Sequence, residues 1–211
     1  NLEAIALLDP DLILTSAVRH ESIAPELSAI ATTVMSESAG GGWKDIVRLT
    51  GEASGRDAAA AAALSSYEAR AAELGDEIRQ LAGDPTISIV RFVDGIRLYQ
   101  PISFSGTELE DAGLSRPESQ QRTDDFITII SPEELDQADG DVLIYTVFAN
   151  DAVADGLADL QASPLWDTLG AVQRDDVHLV LDDAWMSGGG VFGAEVILDD
   201  LARIFDVTEG S

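Results

Sequence analysis

The chain has 211 residues, 45% of them hydrophobic, so it is long enough to bury a core and is not a disordered polypeptide. Its 39 acidic residues outnumber 12 basic ones and give a formal net charge of -27, which disfavours binding to nucleic acid and to anionic membranes. It has no cysteine, which excludes disulfides, thiolate metal sites and cysteine nucleophiles. The excess of acidic residues is explained by solubility or by adaptation to high salt. The alternative explanation is that the acidic surface attracts cations.

The first part of the chain alternates between helical and strand patterns. Residues 2–8 carry apolar side chains at helical spacing, and an Asp-Pro pair ends that helix. Residues 11–15 and 32–35 are apolar runs of strand length, and residues 21–30 between them fit a helix. This alternation predicts a parallel α/β layer. Two strands are too few for an independent sheet, so we expect more strands ahead of Asn1.

The next two patterns are helical. Residues 43–49 look like a helix that Gly51 ends. Residues 55–82 give the clearest pattern in the chain, because an alanine run is followed by apolar residues at steps of three and four. A Gly-Asp-Pro sequence terminates this long helix. Its position between two α/β patterns predicts a rigid spacer that joins two lobes.

The rest of the chain alternates between strands and helices again. Strands are predicted over residues 86–92, 96–99, 126–130, 141–145 and 177–181. Helices are predicted to begin at Ser131-Pro132 and at Pro164, and to cover residues 151–161 and 191–205. Asp94-Gly95 is typical of a tight hairpin turn between the first two strands. Residues 103–122 are rich in glycine, serine and proline and carry no predicted element.

No pattern for catalysis is convincing. His178 lies in an apolar strand pattern, and His20 lies in a loop beside an acid, which is weak support for a general base. Ser131 lacks the glycine-flanked turn of a serine nucleophile, and glycines 188–190 lack the spacing of a phosphate-binding loop. The pairs at residues 182–183 and 199–200 are carboxylates without histidine, a weak metal signal in so acidic a chain. The sequence therefore predicts no catalytic residue and no metal.

Cationic and aromatic side chains lie near the ends of predicted strands, where open α/β sheets bind their ligands. Arginine supplies fixed donors for anionic oxygen, and aromatic rings supply flat apolar faces. The candidate ligand-binding residues are Arg91, Trp185, Tyr99, Arg97, Trp43, Met186 and Arg19. For each aromatic residue the alternative is packing in the core, and for Arg91 it is a surface salt bridge.

Several segments match patterns that occur together, and in this order, in one family. Residues 1–13 match N-x-E-x-I-x-x-L-x-P-D-L-I, which is the most specific of them. The further matches are G-x-x-x-G-R/K at 51–56, a strand at 88–92, G-L-x-R-P at 113–117, S-x-E-x-L at 131–135, D-x-D-x-L at 139–143 and P-L-W-x-x-L-x-A-V at 164–172. In this ordered set the chain resembles the periplasmic siderophore- and cobalamin-binding proteins of ABC importers.

This resemblance implies an α/β fold of two lobes joined by one long helix, with the ligand in the cleft between them (class III periplasmic-binding-protein-like). Residues 1–54 would form a partial N-terminal lobe, residues 55–82 the connecting helix and residues 83–211 the C-terminal lobe. The strands and helices with which the family begins have no counterpart in this sequence, so the N-terminal lobe is expected to be incomplete.

The resemblance also implies a function. It predicts an extracytoplasmic monomer, not an enzyme, that binds a ferric siderophore, needs no cofactor and delivers its ligand to an ABC permease. A lipid anchor on a cysteine ahead of this sequence is often part of such proteins. Arg91 is expected to hold ligand oxygen, and Trp185 to pack on the chelate or its backbone. The alternatives are a cobalamin or heme carrier, a chelatase-like α/β enzyme, and an acidic domain without a ligand.

The family resemblance further assigns two permease-docking residues. In such proteins a glutamate on each lobe docks onto arginines of the membrane permease. Glu3 matches the first position and Glu133 the second, although the adjacent Glu134 leaves the second register open by one residue. The alternative for both is stabilisation of a helix, because an acid in the first turn favours the helix dipole.

Overall fold

The structure is a computed structural model that describes residues 1–37, 42–148 and 151–208. Two sheets follow one another along the chain, with one long helix between them. Parts of the predicted lobes, at residues 38–41, 149–150 and 209–211, lie outside the described residues. Within the described part, no helix is both long enough and apolar enough to cross a membrane.

The N-terminal unit is a parallel two-stranded sheet with short helices. Its elements are α1 (Leu2–Leu7), β1 (Leu12–Ser16), α2 (Ala17–His20), a 3-10 turn (Glu21–Ile23), α3 (Ala24–Ile30) and β2 (Thr32–Ser36). Asn1 caps α1, since its side-chain oxygen accepts from the amides of Glu3 at 3.0 Å and Ala4 at 3.3 Å. The helix predicted over residues 21–30 is thus a 3-10 turn followed by an α-helix, and α2 was not predicted.

Two helices, α4 (Trp43–Ser54) and α5 (Asp57–Ala82), pack against each other after the first sheet. The prediction that Gly51 ends α4 is wrong, because the helix continues to Ser54. A Cβ atom on Gly51 would lie 2.6 Å from that of Ala60, so this glycine permits the close approach of α4 and α5. Gly55, with φ of 68°, ends α4 in the left-handed conformation that glycine favours.

The C-terminal unit is built on a five-stranded sheet. Its strands are β3 (Ile87–Phe92), β4 (Ile96–Tyr99), β5 (Ile127–Ile130), β6 (Val142–Val147) and β7 (Val177–Leu179). The order across the sheet is β5-β4-β3-β6-β7, with β4 antiparallel to both neighbours and β6 parallel to β3 and β7. Each strand falls within one or two residues of its predicted range. Asp94 and Gly95 lie in the turn that joins β3 to β4, but this turn has three residues, 93–95, because Phe92 pairs with Ile96.

Helices cover both faces of this sheet. They are α6 (Phe104–Asp111), α7 (Asp151–Gln161), α8 (Gly170–Gln173), α9 (Asp182–Ser187) and α10 (Val191–Ile204). The segment predicted to begin a helix at Ser131 is instead a 3-10 segment, Pro132–Ala138, and a 3-10 turn, Trp166–Thr168, precedes α8. Helix α6 lies in the stretch where no element was predicted, with the Ser103 hydroxyl accepting from the amide of Gly106 at 3.0 Å.

Alternation along β3 separates the core into two clusters. Ile87 and Ile89 belong to the cluster that includes residues of α5 and α10, while Val90 and Phe92 belong to the cluster on the other face. Arg91 is in phase with Ile89. Its side chain therefore lies on the α9–α10 side of the sheet, where β3 ends.

A polar cluster links α4, α5 and α6. The ammonium of Lys44, the only lysine, lies 2.6 Å from a carboxylate oxygen of Asp111, and the Tyr67 hydroxyl donates to the other oxygen at 2.9 Å. Burial lowers the pKa of Lys44, but the hydrogen bond and charge of Asp111 outweigh burial and raise it. Burial raises the pKa of the fully buried carboxyl of Glu108 well above its usual value.

Candidate ligand-binding cleft

A cleft of about 940 Å³ lies between the N-terminal and C-terminal units. Both units place the carboxyl ends of their parallel strands at it, which is where α/β proteins bind their ligands. The lining residues from the N-terminal side are Leu14, Thr15, Ser16, Val18, Arg19, Val34, Ser36, Gly42, Ile46, Leu49 and Thr50. Those from the C-terminal side are Arg91, Arg97, Tyr99, Ile102, Ser103, Phe104, Phe126, Met186, Ser187 and Gly189.

The charge of this lining is opposite to that of the protein. Three arginines, Arg19, Arg91 and Arg97, line the cleft, and none of the described lining residues is acidic. The chain as a whole has 39 acidic residues and a net charge of -27. The cleft is therefore a local cationic site in a strongly anionic molecule, which suits an anionic ligand.

Arg91 is held by a bidentate ion pair at the floor of the cleft. Its Nε and Nη2 donate to the two carboxylate oxygens of Asp182 at 2.8 and 2.7 Å, and its Nη1 donates to the Tyr99 hydroxyl at 3.3 Å. Thr146 also donates to Asp182, at 2.8 Å. Burial lowers the pKa of Arg91, but Asp182 and Tyr99 more than offset this and raise it. These contacts use three of its five N–H groups, and among the described residues the other two have no hydrogen-bond acceptor. The guanidinium also lies over the ring of Phe148, 5.3 Å from its centroid.

Arg97 lies directly opposite Arg91 on the neighbouring strand. The two form a cross-strand pair between β3 and β4, so two guanidinium groups share one face of the sheet. Arg97 donates to Asp94 in the hairpin turn, and the hydrogen bond to Arg97 lowers the pKa of that carboxyl. Asp94 is largely exposed, so water screens this ion pair far more than that of Arg91.

A buried arginine supports the strand that carries Arg97 and Tyr99. Arg116 donates to the backbone carbonyl of Tyr99 and, at 3.0 Å, to that of Gln120. Burial without a paired carboxylate lowers the pKa of Arg116 to about 10. This residue belongs to the G-L-x-R-P pattern, so the motif fixes the end of β4 beneath the cleft.

The uncharged part of the cleft exposes apolar side chains. Val18 is 73% exposed, Phe126 is 52% exposed, and Leu14 and Ile102 are 44% and 43% exposed. Side chains of this kind gain free energy when a ligand removes them from water. Cationic groups on an apolar lining can thus hold a ligand that has both anionic and apolar parts.

The structure brings five of the seven predicted binding residues to the cleft: Arg19, Arg91, Arg97, Tyr99 and Met186. Trp185 and Trp43 lie elsewhere. Trp185 is fully buried, and its indole N–H donates to Asp200 of α10 at 2.8 Å. Trp185 thus offers no face to a ligand, and the prediction that it packs on a chelate is wrong.

Trp43 is also buried, packed edge-on against Tyr67 and Phe104. It borders a separate pocket of about 390 Å³ and does not line the cleft.

Sequence reasoning missed Asp182 as a functional residue. It considered the acids at residues 182 and 183 only as a weak metal signal, whereas Asp182 pairs with Arg91. In the described part of the chain no group of three or more His, Cys, Asp or Glu side chains is arranged to hold a metal ion. The position of Asp182 just beyond β7 was the available signal, because the ends of strands meet at the cleft.

The two predicted docking glutamates lie on the surface of different units. Glu3 is exposed in the first turn of α1 and Glu133 is exposed in the 3-10 segment after β5. Glu134 accepts hydrogen bonds from the amide and hydroxyl of Ser131 at 3.0 and 2.9 Å. Of the two adjacent glutamates, only Glu134 is engaged in capping this segment, and Glu133 has no hydrogen bond or ion pair among the described residues.

The sequence model of a family described as periplasmic binding protein matches residues 1–184. The chain belongs to this family. Members are substrate-binding proteins of transport systems, not enzymes. The chain is 34% identical to the probable siderophore-binding lipoprotein YfiY of Bacillus subtilis, over 97% of this chain and 66% of that protein. It is 33% identical to the achromobactin-binding periplasmic protein of Dickeya dadantii, over 100% of this chain and 70% of that protein.

A solved member of the family has the same fold. The crystal structure of Staphylococcus aureus SirA complexed with staphyloferrin B superposes with a TM-score of 0.88 at 28% identity, covering 99% of this chain and 75% of that one. The chain thus has the α/β fold of class III periplasmic binding proteins. It spans about two thirds of the length of the curated relatives, at 66% and 70%.

Proposed function

We propose that this chain captures a ferric siderophore outside the cytoplasm and delivers it to the permease of an ABC importer. The observation that carries the proposal is the cleft with three arginines and no acidic residue among its described lining. Membership of the periplasmic binding protein family supports it, as do relatives named for binding siderophores. One relative is named as a lipoprotein and the other as a periplasmic protein, which supports an extracytoplasmic location and a lipid anchor.

Iron enters this cleft inside its chelate and not as a bare ion. The described lining has no imidazole or carboxylate, and its one phenol, that of Tyr99, accepts a hydrogen bond from Arg91. It therefore lacks a set of the side chains that usually bind iron in proteins. Arg91 and Arg97 instead donate to ligand oxygen. Surface acids then bind free ferric ion weakly, and tight stoichiometric uptake of iron without a chelator would contradict this part of the proposal.

Titration of the purified chain with ferric siderophores, cobalamin and heme in a calorimeter tests ligand binding. A ferric siderophore should bind tightly, and tight binding of only cobalamin or heme would contradict the iron assignment.

Arg91→Ala should weaken siderophore binding by ~1.5–3 kcal/mol, as expected for lost charge-assisted hydrogen bonds. Arg122→Ala is the matched control, because Arg122 pairs with Asp124 on the surface outside the cleft. Equal small changes in both variants, with the fold intact, would exclude Arg91 from the site.

Glu3 and Glu133 dock onto cationic groups of the permease, one from each unit. Exposed ion pairs are individually weak, but charge complementarity fixes the register of a complex and raises its association rate. Reversing both charges, Glu3→Arg with Glu133→Arg, should leave siderophore affinity unchanged and abolish uptake by cells. Charge reversal of the exposed pair Glu21 and Glu118 is the control. Unimpaired uptake by the Glu3/Glu133 variant would assign these residues to the fold alone.

A further inference from the structure

We infer that the cleft selects ferric chelates that carry carboxylates and a net negative charge, over hydroxamate and catecholate chelates. This inference rests on the proposed function and names the substrate class of the same site. Its basis is the number of cleft arginines, how each is neutralised, and the small aromatic area that the cleft exposes.

The arginines are concentrated at an energetic cost. Arg91 and Arg97 are directly opposite on β3 and β4, and like charges in that position repel each other. Arg19 approaches from α2 on the other side of the cleft. A fold with only 12 basic residues thus places three of them around one cavity. An anionic occupant would remove the repulsion between them.

The protein's own carboxylates leave much of this charge available. Asp182 accepts hydrogen bonds from one edge of the Arg91 guanidinium. Arg91 retains two N–H groups without a described acceptor. Asp94, the partner of Arg97, is 74% exposed in its side chain, so a ligand can compete with it. Arg19 is exposed and has no ion-pair partner among the described residues. Each arginine can therefore donate hydrogen bonds to a further anion.

Guanidinium groups also determine which chelate fits. They donate hydrogen bonds and accept none, and their planar fork matches the two oxygens of a carboxylate. A cationic hydroxamate chelate such as ferrioxamine B brings positive charge toward three arginines and is disfavoured. A chelate with peripheral carboxylates supplies both the charge and the paired oxygens.

The aromatic side chains argue against catecholates, which are also anionic. Aryl rings gain from flat apolar faces and edge-to-face contacts. Of the described aromatic residues that line the cleft, Tyr99 and Phe104 are buried at 6% and 4% exposure, and only Phe126 exposes a substantial surface. Trp43 and Trp185 are packed in the core. Charge is therefore the main source of recognition in this cleft.

Calorimetric titration with ferric citrate, ferrioxamine B and a ferric tris-catecholate tests the inference. Ferric citrate should bind at least about tenfold more tightly than the other two, one charge-assisted contact being sufficient for that ratio. Its affinity should fall as salt rises from about 0.05 to about 0.5 M, since the partly exposed arginines are screened. Preference for the hydroxamate or the catecholate would overturn the substrate class and leave the proposed function standing. Failure of all three to bind, together with cobalamin and heme, would overturn both.

Variants of the cleft arginines separate charge recognition from simple folding defects. Arg19→Gln and Arg97→Gln should each weaken ferric citrate binding about tenfold, the loss expected for one charge-assisted contact. Arg122→Gln removes the same charge outside the cleft and should leave the affinity unchanged. Unchanged unfolding temperatures verify that each variant is intact. Equal losses in all three variants would show a general effect of net charge, and no loss in the cleft variants would exclude these arginines; either result overturns the inference.

Discussion

The two units that face each other across the cleft differ in how much they bury. In residues 1–36 the only buried apolar side chain is that of Leu27, and Leu7 and Leu8 are 86% and 79% exposed. The five-stranded unit and the helices packed on it supply all the described residues of the two core clusters, and Leu27 belongs to neither. It also buries polar groups, among them Gln100, Glu108, Arg116, Gln120 and Thr146.

The cleft is preorganised on the side of the well-packed C-terminal unit. Arg91 and Arg97 stand on neighbouring strands of the well-packed unit, and one of them is fixed by a bidentate pair. Arg19 stands on a four-residue helix of the thinly packed unit and has no described ion-pair partner. The C-terminal wall of the cleft thus presents donors that are already fixed. The N-terminal wall presents Arg19, which loses conformational entropy when a ligand orders it, and ligand contacts must offset that loss.

A leucine-to-alanine substitution in each unit should show the difference in packing as a difference in unfolding free energy. Leu143→Ala, in β6 between β3 and β7, should cost about 4–5 kcal/mol of unfolding free energy, because a rigid core leaves a cavity. Leu27→Ala removes the same atoms and should cost only about 2 kcal/mol, the low end of the range, because its surroundings can collapse. Denaturant unfolding measures both, and equal costs would remove the proposed difference in packing.

The ion pair between Arg91 and Asp182 should contribute to the stability of the C-terminal wall of the cleft. Asp182→Asn should destabilise the protein by about 2–4 kcal/mol, because Arg91 loses its partner at a site where both side chains are largely buried. Adding Arg91→Gln should recover part of that loss. A double-mutant cycle from unfolding curves gives the coupling energy. Strictly additive single effects would mean that the pair contributes nothing to this wall.

Glu108 extends the comparison to buried ionisable groups. Its carboxyl stays protonated in the folded protein above the usual value of 4.5, whereas in the unfolded chain it loses its proton. The folded state then holds more protons, so this group makes stability fall as pH rises above about 4.5, by up to ~1.4 kcal/mol per pH unit.

Glu108→Gln should therefore stabilise the protein at pH 7, and the gain over wild type should vanish near pH 4. Unfolding curves over this pH range measure it. Glu110→Gln, an exposed carboxyl on the same helix, is the control and should show little change. A gain that is equal at both pH values would indicate that Glu108 is not the titrating group.

The smallest expected change in stability concerns Glu133 and Glu134, two adjacent acids at the surface of the C-terminal unit. Glu134→Ala should cost about 1 kcal/mol, since it removes the acceptor for the amide and hydroxyl of Ser131. Glu133→Ala should stay within about 0.5 kcal/mol of wild type, as for an exposed side chain without a partner. Thermal unfolding compares the two. The reverse order would place Glu133 in the fold and weaken its assignment to the permease.

Much of the fold follows from local patterns in the sequence. The long helix predicted over residues 55–82 is Asp57–Ala82 in the structure, because its periodicity and its terminating glycine are both local signals. Gly51 misled the prediction, since its role is a contact with Ala60 on another helix. Helix α6 was missed because serine, glycine and threonine near its start disguise it, and packing against α5, α9 and α10 sets it in place.

The site was predictable where strand ends mark it. Arg91, Arg97 and Tyr99 were found because they lie near the ends of predicted strands. The facing of Arg91 and Arg97 was not predictable, because a two-residue Asp94-Gly95 turn would pair Arg91 with Leu98, whereas the loop of residues 93–95 pairs it with Arg97. Trp185 was misplaced because its burial depends on α10, whose Asp200 accepts from its indole. Asp182 was overlooked for a similar reason, since no local pattern shows that it meets a strand 91 positions away.

The burial of all three tryptophans has a spectroscopic consequence. Trp43, Trp166 and Trp185 are 1%, 7% and 0% exposed, so the native emission should peak at the short wavelengths typical of indoles shielded from water. None of the three lines the cleft, yet Trp185 precedes the lining residue Met186 and Trp43 packs on the lining residue Phe104. A coloured ferric chelate in the cleft can thus accept excitation energy from both without touching either. Native emission should dim on ligand entry with no shift in wavelength, whereas unfolding should shift it to the red.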